Sequence, residues 1–237
     1  MKSIIGVVVL VVVGVGVYML WNPAEPVREE EGETIVDLQN AQQEMEAGER
    51  EVVSPGSYEV VADQSSVGWA GKKPLVEGYV NAGSIAVTDG TIVVAEDSAT
   101  GTFTVDMNTL SVSETPTKPG QENALEGHLK GERWFDVATY PTATFAIDRV
   151  TPRADSETTF VYDVTGELTM KGQTHEVTFP ATIYKDAEGM LHAHADFEID
   201  RTKWGITAGS GSFFDGLADN VIDDMVALSF DVVAVAE

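Results

Sequence analysis

From Ser57 onward the chain alternates apolar and polar side chains with a period of two. Tyr162, Val164, Gly166, Leu168 and Met170 share one side of a run whose other side is Val161, Asp163, Thr165, Glu167, Thr169 and Lys171. The same rhythm groups Val177, Phe179, Ala181 and Ile183, then Leu191, Ala193, Ala195, Phe197 and Ile199, and finally Val226, Leu228, Phe230, Val232 and Ala234. Successive side chains of an extended chain point to opposite faces, so each run predicts a strand with one dry and one wet side. Less regular runs predict further strands at 58–61, 67–70, 79–88, 91–95, 102–107 and 144–150. Asp89-Gly90, Lys171-Gly172 and Glu188-Gly189 read as turns between them. The one long interruption, 108–141, carries a short helix at 121–131 behind a Pro-rich segment, 113–120. Strands joined by short turns, without alternating helices, predict an antiparallel barrel or sandwich rather than a parallel βαβ fold.

The pattern ahead of Ser57 is different. No charge falls between Lys2 and Glu25, and the apolar run of roughly 18 residues is just long enough to cross a bilayer. A cleaved signal peptide is the competing reading. The run ends Tyr18-Met19-Leu20-Trp21-Asn22-Pro23, without a small-x-small cleavage pattern and with aromatics where a membrane interface would lie. Residues 1–21 are therefore expected to be a transmembrane signal-anchor. Lys2 precedes it and Glu29, Glu30 and Glu31 follow, so the bulk of the chain is expected outside the cytoplasm, periplasmic or at the cell surface. Residues 22–54 read as an acidic spacer too poor in apolar residues to fold alone. Pro55-Gly56 marks the start of the β domain, 55–237.

Charge and composition narrow the function classes. Among 237 residues, 39 Asp and Glu against 14 Lys and Arg give a net charge of -25, which repels phosphate backbones and argues against nucleic acid as a partner. An apolar content of 43% is ample for a core. There is no cysteine, which removes disulfides, thiol chemistry and the acylation site of a lipoprotein, so the expected membrane tether is peptide.

Several motifs, in order, carry a family resemblance. Tyr58-Glu59-Val60 is followed by Asp63-Gln64-Ser65-Ser66-Val67. Next come His128-Leu129-Lys130-Gly131, Trp134-Phe135-Asp136-Val137 and Tyr140-Pro141-Thr142-Ala143-Thr144-Phe145. Val164-Thr165-Gly166-Glu167-Leu168-Thr169-Met170-Lys171-Gly172, Ile199-Asp200-Arg201-Thr202-Lys203-Trp204-Gly205-Ile206 and Asp224-Met225-Val226-Ala227-Leu228-Ser229-Phe230 complete the series. The segment from Ser57 to Ala236 resembles the YceI family of lipid-binding, lipocalin-like periplasmic proteins. That resemblance implies an extended eight-stranded antiparallel barrel with one short helix. It also implies a long isoprenoid lipid as the partner, with no catalytic residues and no cofactor. The Pro-rich loop and a Gly-rich insert at 209–220 depart from the pattern.

A tunnel for such a lipid would be lined by the inward alternating residues. Candidates are Val67, Trp69, Phe103, Val105, Trp134 and Phe135, then Phe145, Ile147, Tyr162, Val164, Leu168, Phe179 and Ile183. Ala193, Ala195, Phe197, Ile199, Trp204, Phe230 and Val232 complete the set. The small residues Ala143, Gly166, Ala181, Ala193 and Ala195 leave room for a hollow; a filled core is the alternative for the same positions. His128, Lys130, Arg133, Arg201 and Lys203 are cations that could meet a head group, or pair with the many carboxylates. A metal site from His175, His192, His194 and Asp196 is the first rival, set against a plain solvated face. Hydrolysis has no recognisable apparatus, since no Gly-x-Ser-x-Gly or other nucleophile motif is present. The carrier reading requires one continuous dry hollow.

Overall fold

The computed structural model describes residues 50–153 and 160–237. The expected signal-anchor and nearly all of the acidic spacer lie outside the described residues. Within them, ten strands follow in chain order: β1 (Gly56–Val60), β2 (Ser66–Lys72), β3 (Val80–Val94), β4 (Ala99–Asp106), β5 (Ser111–Glu114), β6 (Thr142–Pro152), β7 (Val161–Met170), β8 (Gln173–Lys185), β9 (Leu191–Asp200) and β10 (Met225–Ala236). One α-helix, α1 (Glu122–Lys130), sits between β5 and β6.

The alternation dictates how these strands pair. Each has one apolar face, and closing the sheet puts all of those faces inside while leaving no edge. Around the ring the order is β10, β2, β3, β4, β6, β7, β8, β9, and β9 returns to β10 from Met225↔Asp200 to Ala234↔Leu191. All pairings are antiparallel. β1 is not a ninth position. It pairs with β10 and β3 beyond the end of β2, so β1 and β2 occupy one position interrupted by a jog at 61–65. Buried Ser65 bridges the jog: its hydroxyl lies 2.9 Å from the Val61 carbonyl and accepts from the Val233 N–H at 3.0 Å. The result is a closed eight-stranded antiparallel barrel in which β5 pairs with β3 at Ala82–Ser84, past the end of β3's pairing with β4.

Two turn expectations stand as read. Lys171 (φ 49°) and Gly172 (φ 71°) make a two-residue hairpin between Met170 and Gln173, and the segment around Gly189 joins β8 to β9. Asp89-Gly90 is different. The chain does not turn there but continues as a single long β3, with a register shift between Val87 and Asp89. A bulge bends a strand without ending it, and its glycine is easily read as a turn from sequence. Here Gly90 lies directly opposite Phe103, where a side chain would press on the Phe103 Cβ at 2.7 Å.

Candidate functional site

Inside the barrel the space is divided. A larger apolar cavity of about 330 Å³ occupies one end and a smaller one of about 150 Å³ the other. Of the sequence candidates, Ile147, Tyr162, Val164, Phe179, Ile183, Ala193, Ala195 and Val232 line the larger cavity. Val67, Trp69, Val105, Trp134, Phe135, Leu168 and Ile199 line the smaller one. Phe103, Phe145 and Phe230 line both, because they stand between them.

These three rings meet in the middle of the bore. Phe103 and Phe145 face each other across β4 and β6 with centroids 5.5 Å apart, and Phe230 lies 5.4 Å from Phe103 and 6.3 Å from Phe145. Phe179 stands 5.5 Å from Phe145, and Phe197 stacks flat on Phe179 at 4.0 Å. The continuous hollow expected from the alternation is therefore interrupted by a phenylalanine partition. The inward glycine expected to widen the bore also serves another purpose. A methyl group on Gly166 would collide with the Ala146 carbonyl and come within 2.7 Å of Phe145 Cζ, so the missing side chain seats the Phe145 ring. Ala181, Ala193 and Ala195 do face open space in the larger cavity, as Ala143 does in the smaller.

Two candidates line neither cavity. Phe197 belongs to the partition, covered by Phe179 on one face and 5.3 Å from Phe230. Trp204 is 1% exposed in the short 3-10 turn Arg201–Trp204, where its indole N–H donates to the Leu168 carbonyl at 3.0 Å. It plugs the turn after β9 onto β7 instead of facing the bore, and His175 packs edge-on against it at 5.1 Å.

Two of the five cations proposed for a head group, Arg201 and Lys130, are already paired within the protein. Arg201 is buried, and its guanidinium donates to the carbonyls of Ile206, Ala208 (3.0 Å), Ile222 (3.2 Å) and Asp223 (2.9 Å), with an Asp224 carboxylate oxygen at 3.5 Å. Burial pushes this group below its ordinary value, opposed by the charges of Asp224, Asp200 and Asp223. The guanidinium also lies 5.5 Å over the Trp134 ring. Lys130 pairs with Glu126 one helical turn back, at 2.7 Å. At the larger cavity the polar lining comes instead from Glu96, Asp97 and Ser98 in the β3–β4 connection.

The three imidazoles of the metal rival do not converge. His192 meets Asp186 at 2.7 Å, and His194 bridges Asp231 (2.7 Å) and Asp196 (3.0 Å) on the outer face. His175 points the other way, pairing in register with Leu168. No group of three or more His, Cys, Asp or Glu placed to hold a metal occurs among the described residues. The hydrogen bond to Asp231 raises the His194 pKa above its ordinary value; partial burial opposes this and Asp196 assists it.

Sequence reasoning missed one part of the larger cavity. Val52 and Val53, assigned to the spacer, line it. The strap that carries them is fixed by paired backbone hydrogen bonds between Glu51 and Lys185, by their 2.7 Å ion pair, and by Arg50 lying 4.5 Å over the Tyr184 ring. The signal was present as an apolar pair, Val52-Val53, at the end of an otherwise polar segment.

Known proteins share this architecture. BcnA of Burkholderia cenocepacia superposes with a TM-score of 0.55 at 23% identity, covering 74% of this chain and 99% of its own. A polyisoprenoid-binding domain from Saccharophagus degradans, implicated in plant cell wall breakdown, gives 0.56 at 16% identity, covering 78% and 100% respectively. Among curated proteins no match is found. A family model described as the YceI-like domain matches residues 58–234, from the first strand to the last, and by that match the chain belongs to the YceI-like family.

Proposed function

We propose that the protein binds an apolar lipid of the isoprenoid type inside its barrel and sequesters or carries it without catalysis. The observation that carries this reading is an apolar cavity of about 330 Å³ at one end of a closed barrel, within the size range of small-molecule sites. The resemblance to a polyisoprenoid-binding domain supports the ligand class. Burying each methylene contributes about 0.8 kcal/mol, and ordering a flexible chain offsets much of that sum, which leaves an affinity low enough for release. Glu96 and Asp97 beside the larger cavity favour an uncharged head group, an alcohol or quinone, over a phosphate. The apolar N-terminal run would hold the barrel outside the cytoplasm. Comparing membrane and soluble fractions of a C-terminally tagged chain tests that placement.

Extraction of the purified protein with organic solvent, followed by mass spectrometry, tests the function. A co-purifying prenyl lipid, or retention of added prenols, is expected. Ala193→Phe and Ala195→Phe, which fill the larger cavity, should abolish retention while the β-sheet circular dichroism persists. A clean extract with no uptake of added prenols would instead support a structural or partner-binding β domain, the reading that the phenylalanine-filled waist favours.

A further inference from the structure

Five strands each deliver one phenylalanine to the partition: Phe103 from β4, Phe145 from β6, Phe179 from β8, Phe197 from β9 and Phe230 from β10. Phe230 is the hub. Its ring lies within 6.3 Å, centroid to centroid, of all four others. Phe145 already occupies the recess left by Gly166, so it has no further space to withdraw toward the wall. Close-packed rings supported on several sides resist displacement by a soft, flexible chain.

The two chambers set a size. At about 30 Å³ per heavy atom of a condensed liquid, the larger holds about 11 carbon atoms, or about two isoprene units, and the smaller about one. We infer that the partition centred on Phe230 is a chain-length stop: it confines the bound chain to the larger chamber and selects short prenyl lipids over long ones. This inference rests on the lipid-binding reading above and revises its expectation of a long chain. The physical cause of selection is the overhang. Every methylene drawn out of a membrane or detergent micelle and left in water lowers affinity about fourfold, so each isoprene unit beyond the stop costs about a hundredfold or more.

The test uses the full chain in a mild detergent, incubated with an equimolar mixture of prenols of one to eight isoprene units, repurified and extracted for mass spectrometry. The wild type is expected to retain a pool centred on about two units. Phe230→Ala joins the chambers and is expected to move that pool toward about four units, raising the longest chains at least about tenfold over wild type. Phe103→Leu narrows the partition from the opposite wall while staying apolar, and is expected to move the pool in the same direction should Phe230→Ala not fold. Retention of eight-unit chains as strongly as two-unit chains by the wild type overturns the stop and leaves lipid binding standing. So does a pool that neither variant shifts. Retention of no prenol by any of the proteins overturns the lipid reading itself, and the stop with it.

Discussion

Arg201→Lys isolates what the guanidinium does at the end of the barrel, because charge is kept and only the planar array of donors is lost. In the wild type the side chain is 5% exposed and ties two stretches of chain to the turn after β9: the carbonyls of Ile206 and Ala208 on one side, and those of Ile222 and Asp223 on the other. Those stretches flank the Gly-rich insert, 209–220, so one side chain clamps both of its ends. A lysine ammonium has three donors on a single atom and cannot reach four carbonyls that surround a planar group. With three donors for four carbonyls, at least one carbonyl would lose its partner, at about 1–3 kcal/mol. For a domain of this size each kcal/mol lowers Tm by about 2–4 °C, so a fall of about 5 °C is expected. Thermal unfolding followed by circular dichroism measures it, and limited proteolysis should cut the insert faster in the variant. An Arg201→Lys protein that melts within about 2 °C of wild type, with the insert equally resistant, would refute the clamp.

Two further outcomes follow from individual contacts. Gly166→Ala places a methyl group against the Ala146 carbonyl and the Phe145 ring; overpacking of this kind costs about 1–3 kcal/mol, and an unchanged melting temperature would show that the ring is not seated as described. His194 holds its proton more tightly in the folded state because of Asp231, so its contribution to stability is complete below the ordinary histidine value of about 6.5 and is lost as pH rises through the raised folded value. A ring-proton NMR titration should place its midpoint above that value in the wild type and nearer to it in Asp231→Asn; equal midpoints in the two proteins would remove Asp231 as the cause.

The ring of strands was readable from sequence because its physical cause is local. Each of β7, β8, β9 and β10 repeats an apolar residue at every second position, and a closed sheet is the arrangement that buries all of those faces at once. The Lys171-Gly172 turn was readable for the same reason, since two successive residues with positive φ have a narrow chemistry. The interrupted position shared by β1 and β2 was not readable. Its continuity depends on Ser65 reaching Val233, which is 168 residues away in sequence, and no local pattern encodes that contact. The Glu51–Lys185 strap escaped notice likewise, because an acidic segment looks solvated until its partner strand is in place.

The site divides along the same line between face and height. Period-two alternation states which side of the sheet a residue occupies, and it placed all five phenylalanines of the partition inside. It does not state how far along the barrel axis each one lies. That depends on the stagger between neighbouring strands, which closure of the whole ring fixes. Phe103 meets Phe145 only because β4 and β6 pair as Gly101↔Ile147 through Asp106↔Thr142. Phe230 joins them only because β10 sets it opposite Val67 on one side and Ala195 on the other. A slip of two residues in either register would keep every side chain on its own face and still move one ring along the axis, out of the partition. Whether this barrel holds one long tunnel or two short chambers is therefore a property of strand register, so chain-length preference among barrels of this kind can change through shifts in pairing as readily as through substitutions in the lining.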